Sequence, residues 1–188
     1  LPRYDLAYWT RWVGYVETSR NCNFRCSFCA LTGEGAKYEK YDLEYIRKQI
    51  IAVGKKKVVL FIDNNFYGND RMFFLERLDL IKEMRKKGLL GGWIMLATND
   101  FFCKDENLEL VRDAGCLGIF TGIEAFNTQW LQKNKIQNMQ YPQVELIRKT
   151  LDSGIVLGYG LIMDITTRRI ADLYRELDFI TSSPDITL

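Results

Sequence analysis

The sequence predicts an α/β fold with a parallel sheet, because strand-like and helix-like segments alternate along its 188 residues. Continuous apolar runs of strand length are typical of strands buried on both faces, as in parallel sheets. Amphipathic segments that end at a glycine separate these runs, as expected of helices closed by a C-terminal cap. Six repetitions of this unit predict parallel strands joined by right-handed crossovers.

The first half of the chain supplies three of the predicted strands and two of the helices. Strands are predicted at residues 13–18, 57–63 and 93–98, and helices at residues 42–54 and 70–87. Asp42 is the expected N-cap of the first helix and Gly54 its C-terminal cap. Gly88 ends the second helix in the same way. The apolar residues of these helices are expected in the core, including the run from Met72 to Leu75.

The second half continues the alternation. Helices are predicted at residues 105–114, 129–133, 142–152 and 167–181, and strands at 117–124, within 154–163 and at 185–188. Gly115 closes the first of these helices. The strand at 185–188 is the sixth, and it completes the repeating unit.

Composition excludes several classes of protein. The hydrophobic fraction of 47% and the charged fraction of 27% are ordinary for a globular protein, and a net charge of +2 indicates neither nucleic acid nor a membrane surface as partner. No apolar run reaches transmembrane length. The absence of histidine excludes Ser-His and Cys-His triads. Cysteines without a signal peptide favour a reducing compartment, so a cytoplasmic protein is expected.

The most informative motif is a cluster of three cysteines within eight residues. Cys22, Cys26 and Cys29 have the spacing Cys-x3-Cys-x2-Cys. Three neighbouring thiolates can bind one compact soft metal centre, and a cubane iron–sulfur cluster is the natural candidate. Three ligands for four irons leave one iron open, and an open coordination position is what a catalytic site keeps.

A zinc site, a disulfide framework and a ferredoxin each fit these cysteines less well. Zinc sites usually pair two Cys-x2-Cys knuckles or add histidine, whereas Cys103 and Cys116 are isolated. A disulfide framework is typical of small secreted chains with an even cysteine count, and a ferredoxin needs a fourth ligand. Cys116 is expected to be a buried small hydrophobe and Cys103 a loop thiol. A non-catalytic module stabilised by zinc or by a cluster remains the alternative hypothesis.

The chain resembles the radical S-adenosylmethionine (SAM) enzymes at this motif. Their cluster loop follows the first barrel strand with the same spacing and has an aromatic residue before the last cysteine, here Phe28. The resemblance implies a partial (βα)6 barrel with parallel strands. It also implies a [4Fe–4S] cluster on the three cysteines and SAM bound at its open iron.

Polar residues at the ends of the predicted strands are the candidates for binding SAM, because sites in parallel barrels lie at the carboxyl ends of strands. Asp63, Asn64 and Asn65 follow the second strand, and Gly122 and Glu124 end the fourth. The first group resembles the Asp-Asp-Asn-Phe motif of radical SAM enzymes that carry an N-terminal cobalamin-binding domain. The Gly-Ile-Glu ending resembles the family's ribose-contacting fourth strand, and Phe28 would contact adenine by the same analogy.

The resemblance implies a function. The cluster reductively cleaves SAM to a 5′-deoxyadenosyl radical, and cobalamin-linked members of the methylase or tetrapyrrole oxidative cyclase type indicate methyl transfer or radical ring chemistry. The expected partners are a small-molecule substrate and an external electron donor such as flavodoxin or ferredoxin. Cobalamin would be bound by a domain outside this chain, since a His-containing cobalamin motif is absent.

The two ends of the sequence suggest a piece of a longer protein. The chain begins without methionine, and its last residues lie in a predicted strand. We expect residues 1–12 to be a linker or leading segment and residues 13–188 to form a truncated radical SAM core domain.

Overall fold

A computed structural model describes residues 1–6, 11–35, 37–184 and 186. Its strands are β1 (Val13–Val16), β2 (Ser19–Arg20), β3 (Glu39–Lys40), β4 (Lys56–Phe61), β5 (Leu90–Ala97), β6 (Cys116–Glu124) and β7 (Val156–Leu161). Its α-helices are α1 (Ala30–Glu34), α2 (Leu43–Val53), α3 (Arg71–Lys86), α4 (Asn99–Phe102), α5 (Glu106–Asp113), α6 (Thr128–Asn134), α7 (Gln143–Asp152) and α8 (Ile170–Ser182). Two short 3-10 helices cover Tyr4–Leu6 and Ile136–Met139.

The main sheet confirms the predicted parallel α/β fold. Its five strands lie in the order β1-β4-β5-β6-β7, and each neighbouring pair is parallel. Helices connect successive strands, so all five carboxyl ends meet at one edge of the sheet. The predicted sixth strand at residues 185–188 falls largely outside the described residues, and Ile186, its described member, lies in a turn.

Capping signals correctly placed the start of α2 and the C-terminal ends of α2, α3 and α5. Asp42 accepts a hydrogen bond from the Tyr45 amide at 2.7 Å, as an N-cap does. Gly54, Gly88 and Gly115 all have φ between 71° and 86°, which explains why glycine ends these helices.

Element boundaries differ from the predictions where side chains compete for the backbone. The first strand ends at Val16 and not at Thr18, because the Thr18 amide donates to Asp63. Helix α8 begins at Ile170 and not at residue 167, because the Asp164 carboxylate holds the amides of Thr166 and Thr167 in a turn. The short β2–β3 pair and α4 were not predicted, since each is too short to show a hydrophobic period.

The core lies between one face of the sheet and the helices. Val59, Phe61, Trp93, Met95 and Ile119 point from the strands into this core, and each is at most 1% exposed. The expectation that the run from Met72 to Leu75 is buried was wrong for Met72, which is 73% exposed, and for Leu75, which is 37% exposed. Both project from the outer side of α3, while Arg77 occupies a position on its buried side.

Among the described residues, no helix has the length and apolar character needed to cross a membrane.

Candidate functional site

The three cysteines of the motif lie in the loop between β2 and α1, and we call residues 21–29 the thiol loop. Cys22, Cys26 and Cys29 are free thiols of intermediate burial. Burial raises the pKa of Cys22 and of Cys26 above the ordinary thiol value. The charges of Cys26 and Cys29 also raise the Cys22 pKa, so the three sulfurs lie close enough to interact electrostatically.

The spacing between these thiols matters for the kind of metal centre. Among the described residues, no three Cys, His, Asp or Glu side chains converge closely enough to bind a single metal ion. A cubane carries each thiolate on a different iron, so its ligands stand farther apart than the ligands of one zinc ion. The donor set of three partly exposed thiols in one loop fits such a cluster.

A buried ion pair fixes the start of the thiol loop. The Asp63 carboxylate accepts hydrogen bonds from the Thr18 amide at 3.1 Å, the Thr18 hydroxyl at 2.6 Å and the Ser19 hydroxyl at 2.5 Å. Arg77 lies 3.8 Å from Asp63 and donates to Thr18, and both charged side chains are at most 1% exposed. Burial raises the pKa of Asp63 and lowers the pKa of Arg77 to about 10. The structure therefore places Asp63 inside the protein, against the entry to the loop.

The two asparagines after Asp63 reach the thiol loop directly. The Asn64 amide donates to the Asn21 carbonyl at 3.4 Å, and the side chain of Asn65 donates to Asn23 Oδ1 at 2.9 Å. Asn65 Oδ1 and Asp100 Oδ2 are buried acceptors that have no hydrogen-bond donor among the described residues. Asp100 follows β5, and its charge acts on Cys22. Two open acceptors beside the thiols fit a ligand that carries a cationic amino group.

Glu124 ends β6 in an unusual backbone conformation. Its φ is +64°, in the left-handed region, and the pairing of β6 with β7 shifts register between Gly122 and Glu124. Such irregularities redirect a side chain and are frequent beside active sites. The Glu124 side chain is 13% exposed and pairs with the Lys135 ammonium at 2.8 Å.

Gly122 makes room for this pair. A Cβ atom at Gly122 would collide with Glu124 Oε1 and Lys135 Nζ, so a larger residue there would force this ion pair to shift. The Gly122 carbonyl also accepts a hydrogen bond from Lys135 at 2.8 Å. Gly122 and Glu124 were predicted as site residues because they end the fourth strand. They lie together in the structure, and both contact Lys135.

The segment that follows β6 holds the thiol loop, and we call residues 128–139, which form α6 and the adjoining 3-10 helix, the clasp. The Ser27 hydroxyl donates to Asn134 Oδ1 at 2.7 Å, and the Ser27 amide donates to the Asn134 carbonyl at 3.2 Å. Gln137 donates its amide N–H to the Cys26 sulfur at 3.0 Å. These contacts bring the thiol loop and Glu124 to the same edge of the sheet.

Phe28 also lies on the clasp. Its ring stacks on Trp130 with centroids 5.7 Å apart and planes inclined by 23°, and 42% of Phe28 remains exposed. The Trp130 indole donates to Asp164 at 2.8 Å, which connects the stack to the turn before α8. Hydrogen bonds from Thr166, Thr167 and Trp130 hold the pKa of Asp164 below its usual range.

Sequence reasoning missed Arg77, Lys135, Gln137 and Trp130. Only Arg77 left a signal, since it falls among apolar residues on the buried side of α3. The clasp residues touch the thiol loop across more than 100 positions of sequence, and no short-range pattern predicts such contacts.

These features define the chain as a parallel α/β core that carries a cluster-type thiol loop at the carboxyl edge of its sheet. Comparison with known proteins makes this class specific. Residues 16–179 match the radical SAM superfamily, so the chain belongs to that family of enzymes. The expected family is thereby confirmed, and membership implies a [4Fe–4S] cluster and SAM as cofactors.

Curated relatives include methylases. The chain is 31% identical over 176 residues to a hopanoid C-2 methylase of Rhodopseudomonas palustris, with 89% of this chain and 33% of that protein covered. It is 25% identical over 174 residues to an uncharacterised methyltransferase of Synechocystis, covering 87% of this chain and 32% of that protein. The chain therefore spans about a third of the length of these relatives.

Solved structures show the same fold. The radical SAM methyltransferase TsrM from Kitasatospora setae, solved with tryptophan and a SAM analogue, superposes with a TM-score of 0.74 at 18% identity, covering 94% of this chain and 35% of that one. The cobalamin-dependent radical SAM enzyme OxsB, solved with aqua-cobalamin, gives 0.70 at 23% identity, covering 88% and 26%.

Proposed function

We propose that residues 13–188 form a radical SAM core that binds a [4Fe–4S] cluster through Cys22, Cys26 and Cys29. The observation that carries the proposal is the meeting of the thiol loop with the Glu124–Lys135 pair at one edge of the sheet. Gln137 donates to Cys26, and the charge of Lys135 opposes the rise that burial causes in the pKa of the same thiol. Gln137 and Lys135 therefore favour the thiolate form of Cys26, whereas burial and the charge of Glu124 oppose it.

The same edge offers groups for SAM. Glu124 is the proposed acceptor for the ribose hydroxyls, held at the required angle by its left-handed backbone and by Lys135. Asn65 and Asp100 present buried acceptors for the amino group, and Asn64 lies exposed beside them. Phe28, stacked on Trp130, offers a partly exposed ring near which adenine would lie.

Asp63 takes a different role from the one its sequence position suggested. Its carboxylate has no exposed surface and is held by Thr18, Ser19 and Arg77. We assign it to positioning the thiol loop, while Gly122 leaves space for the Glu124–Lys135 pair.

When bound, the cluster and SAM would supply the radical chemistry, a one-electron reductive cleavage of SAM to methionine and a 5′-deoxyadenosyl radical. The residues of this chain contribute binding and orientation, since clasp contacts fix the thiol loop and Glu124 fixes the nucleoside end of SAM. An external donor such as flavodoxin or ferredoxin is the proposed source of the electron.

The proposed reaction is methyl transfer, or radical ring chemistry, on a small-molecule substrate. Methylase and methyltransferase relatives favour methyl transfer. The structural likeness to OxsB and TsrM is consistent with a cobalamin-binding domain outside this chain.

The test is anaerobic reconstitution followed by SAM titration. We expect about four irons per chain and an electron paramagnetic resonance signal of the reduced cluster that SAM perturbs. Glu124→Gln should weaken SAM binding by roughly one to two orders of magnitude, because each charge-assisted hydrogen bond is worth about 1.5–3 kcal/mol. Glu109→Gln, an exposed carboxylate on α5, is the matched control and should bind SAM like the parent.

Two results would contradict the proposal. A stable zinc protein that takes up no iron would favour the alternative of a structural metal module. A cluster whose signal is unchanged by saturating SAM would remove the assignment of this edge as the SAM site.

A further inference from the structure

A cavity of about 540 Å³ lies at the amino edge of the sheet, opposite the edge that carries the thiol loop. It is formed where β1, β4 and β5 begin and where α3 ends. We call it the basic cleft, because its lining includes one tryptophan and five cations: Trp12, Arg11, Lys55, Lys56, Lys57 and Arg85. Its volume is in the range of small-molecule sites in proteins.

The charge of the basic cleft departs from that of the whole chain. The chain has 26 Lys and Arg residues against 24 Asp and Glu residues, which is a nearly even balance. None of the described residues that line the cleft carries a carboxylate. Within the described part of the chain, four of the cations form no ion pair: Arg11, Lys55, Lys57 and Arg85. Glu83, in the last turn of α3, pairs instead with Arg47 and Lys87.

This concentration of one charge has a physical cost. Like charges without counter-charges repel one another and oppose the compact state. The amino edge of a parallel barrel normally contributes to stability, so repulsion at this edge is unexpected. An anion bound among the cations would remove the repulsion. The charge of the basic cleft therefore indicates an anionic ligand.

Arg85 is held in place for such a ligand. Its Nε donates a hydrogen bond to the Gly91 carbonyl at 3.0 Å. Its guanidinium lies against Gly115, where a Cβ atom would collide with it. These contacts leave Nη1 and Nη2 without a hydrogen bond to the described residues. A guanidinium fixed in this way can bind two oxygens of a phosphate through its terminal nitrogens.

Trp12 adds an aromatic surface beside the cations. The Lys57 ammonium lies 4.4 Å from the centroid of its ring, and 61% of Trp12 remains exposed. Planar bases stack on aromatic side chains of this kind, while neighbouring cations bind the phosphates of the same molecule. The cleft therefore offers separate contacts for a ring and for phosphate groups.

We infer that the basic cleft binds a small molecule that carries several phosphate groups next to a planar ring, as a nucleoside triphosphate does. Arg85 and the lysines bind the phosphates, and Trp12 stacks on the ring. The six residues of β4 separate the cleft from the carboxyl edge by about 20 Å at the usual rise of a strand. The inference is therefore independent of the proposed function, whose residues lie at that other edge.

The test is calorimetric titration of ATP, without divalent metal, into the reconstituted chain. The parent should bind one ATP saturably, and saturating SAM should not displace it. Arg85→Gln and Lys55→Glu should each weaken ATP binding at least about ten-fold, because each removes a charge-assisted contact with phosphate. Trp12→Ala should weaken ATP binding at least about five-fold, but it should leave the binding of tripolyphosphate, which has no ring, unchanged.

Two exposed residues outside the cleft supply matched controls. Lys104→Glu makes the same change in net charge as Lys55→Glu, in the segment between α4 and α5. Tyr174→Ala removes an aromatic ring that is 65% exposed on α8. Both should bind ATP like the parent, and circular dichroism checks that every variant folds. Iron content and the response to SAM are measured in the same samples, so failure of the cleft is distinguished from failure of the proposed function.

Several results would overturn the inference. One is the absence of saturable ATP binding by the parent, and another is equal ATP binding by the parent, Arg85→Gln and Lys55→Glu. Displacement of ATP by SAM would place the nucleotide at the carboxyl edge instead. Binding to phosphatidylserine vesicles without binding of ATP would assign the cleft to a membrane surface. Equal affinity of the parent for ATP and tripolyphosphate would overturn the assignment of a planar ring.

Discussion

The sheet and the thiol loop are stabilised in different ways. Each strand of the sheet is held by parallel backbone ladders and by a continuous core in which Phe61, Trp93 and Met95 have no exposed surface. The thiol loop is held by polar contacts to Lys37, Asn64, Asn65 and the clasp, and by the ring stack of Phe28 on Trp130. Burial of apolar area stabilises the first region, so we expect its fold to be independent of metal. The second region depends on contacts worth about 1 kcal/mol each.

The largest expected effect is loss of iron binding at the thiol loop without loss of stability in the sheet. Replacement of Cys22, Cys26 or Cys29 by serine should abolish iron binding after reconstitution, because three thiolates are the minimum that the site offers. The free energy of unfolding of the metal-free protein should change by less than about 1 kcal/mol, as for partly exposed side chains outside the core. Iron analysis and urea unfolding measure the two quantities.

Cys103→Ser is the control, since Cys103 is exposed and lies outside the loop. It should retain the full iron content. Unfolding of the metal-free Cys26→Ser variant would show that the thiol loop and the sheet unfold as one cooperative unit. It would contradict the view that the two regions are stabilised separately.

The second prediction concerns the junction between the two regions. Arg77→Leu leaves the fully buried Asp63 carboxylate without its cation and should destabilise the protein by about 3–5 kcal/mol in urea unfolding. The double variant Arg77→Leu with Asp63→Asn should recover part of that loss, because the remaining group is neutral. Arg112→Leu, which breaks an exposed pair with Asp113, should cost less than about 1 kcal/mol. Equal losses in the free energy of unfolding for Arg77→Leu and Arg112→Leu would show that the buried ion pair of Arg77 does not stabilise the protein as we expect.

The third prediction concerns the hydrogen bond between the thiol loop and the clasp. Asn134→Ala removes the acceptor for the Ser27 hydroxyl, a loss of about 1 kcal/mol that should raise the population of open loop roughly five-fold. Trypsin cleavage after the exposed Arg25 reports that population when opening is fast. Gln132→Ala, an exposed residue of α6, should be cleaved at the parental rate. Unchanged cleavage in Asn134→Ala would mean that the Ser27 hydroxyl bond does not hold the loop, and that its other contacts are sufficient.

The sheet was predictable and the clasp was not, and the reason is the range of the interactions. Runs such as residues 57–63 carry their own strand signal, and capping residues such as Asp42 act within one helical turn. The thiol spacing is equally local, so the metal loop could be recognised from the sequence. By contrast, the partner of Glu124 is Lys135, and the partner of Asp63 is Arg77, both defined only after the chain has folded. The prediction that Met72 and Leu75 are buried was wrong for a related reason, since a four-residue apolar run cannot show which side of a helix faces the core.

The smallest expected effect concerns Gln137 and the electronic properties of the cluster. Its amide N–H donates to Cys26 Sγ at 3.0 Å, and Gln137 itself is only 5% exposed, so water does not replace the bond readily. A donor at a ligand sulfur favours the more negative, reduced state of an iron–sulfur cluster. Gln137→Leu should therefore lower the midpoint potential, by about 20–60 mV if the hydrogen bond contributes about 0.5–1.5 kcal/mol to a one-electron couple. A redox titration followed by electron paramagnetic resonance measures the shift, and Gln132→Leu on the exposed side of α6 should leave the potential unchanged. A Gln137→Leu protein with the parental midpoint potential but faster trypsin cleavage after Arg25 would contradict this prediction. Gln137 would then position the thiol loop without influencing the potential of the cluster.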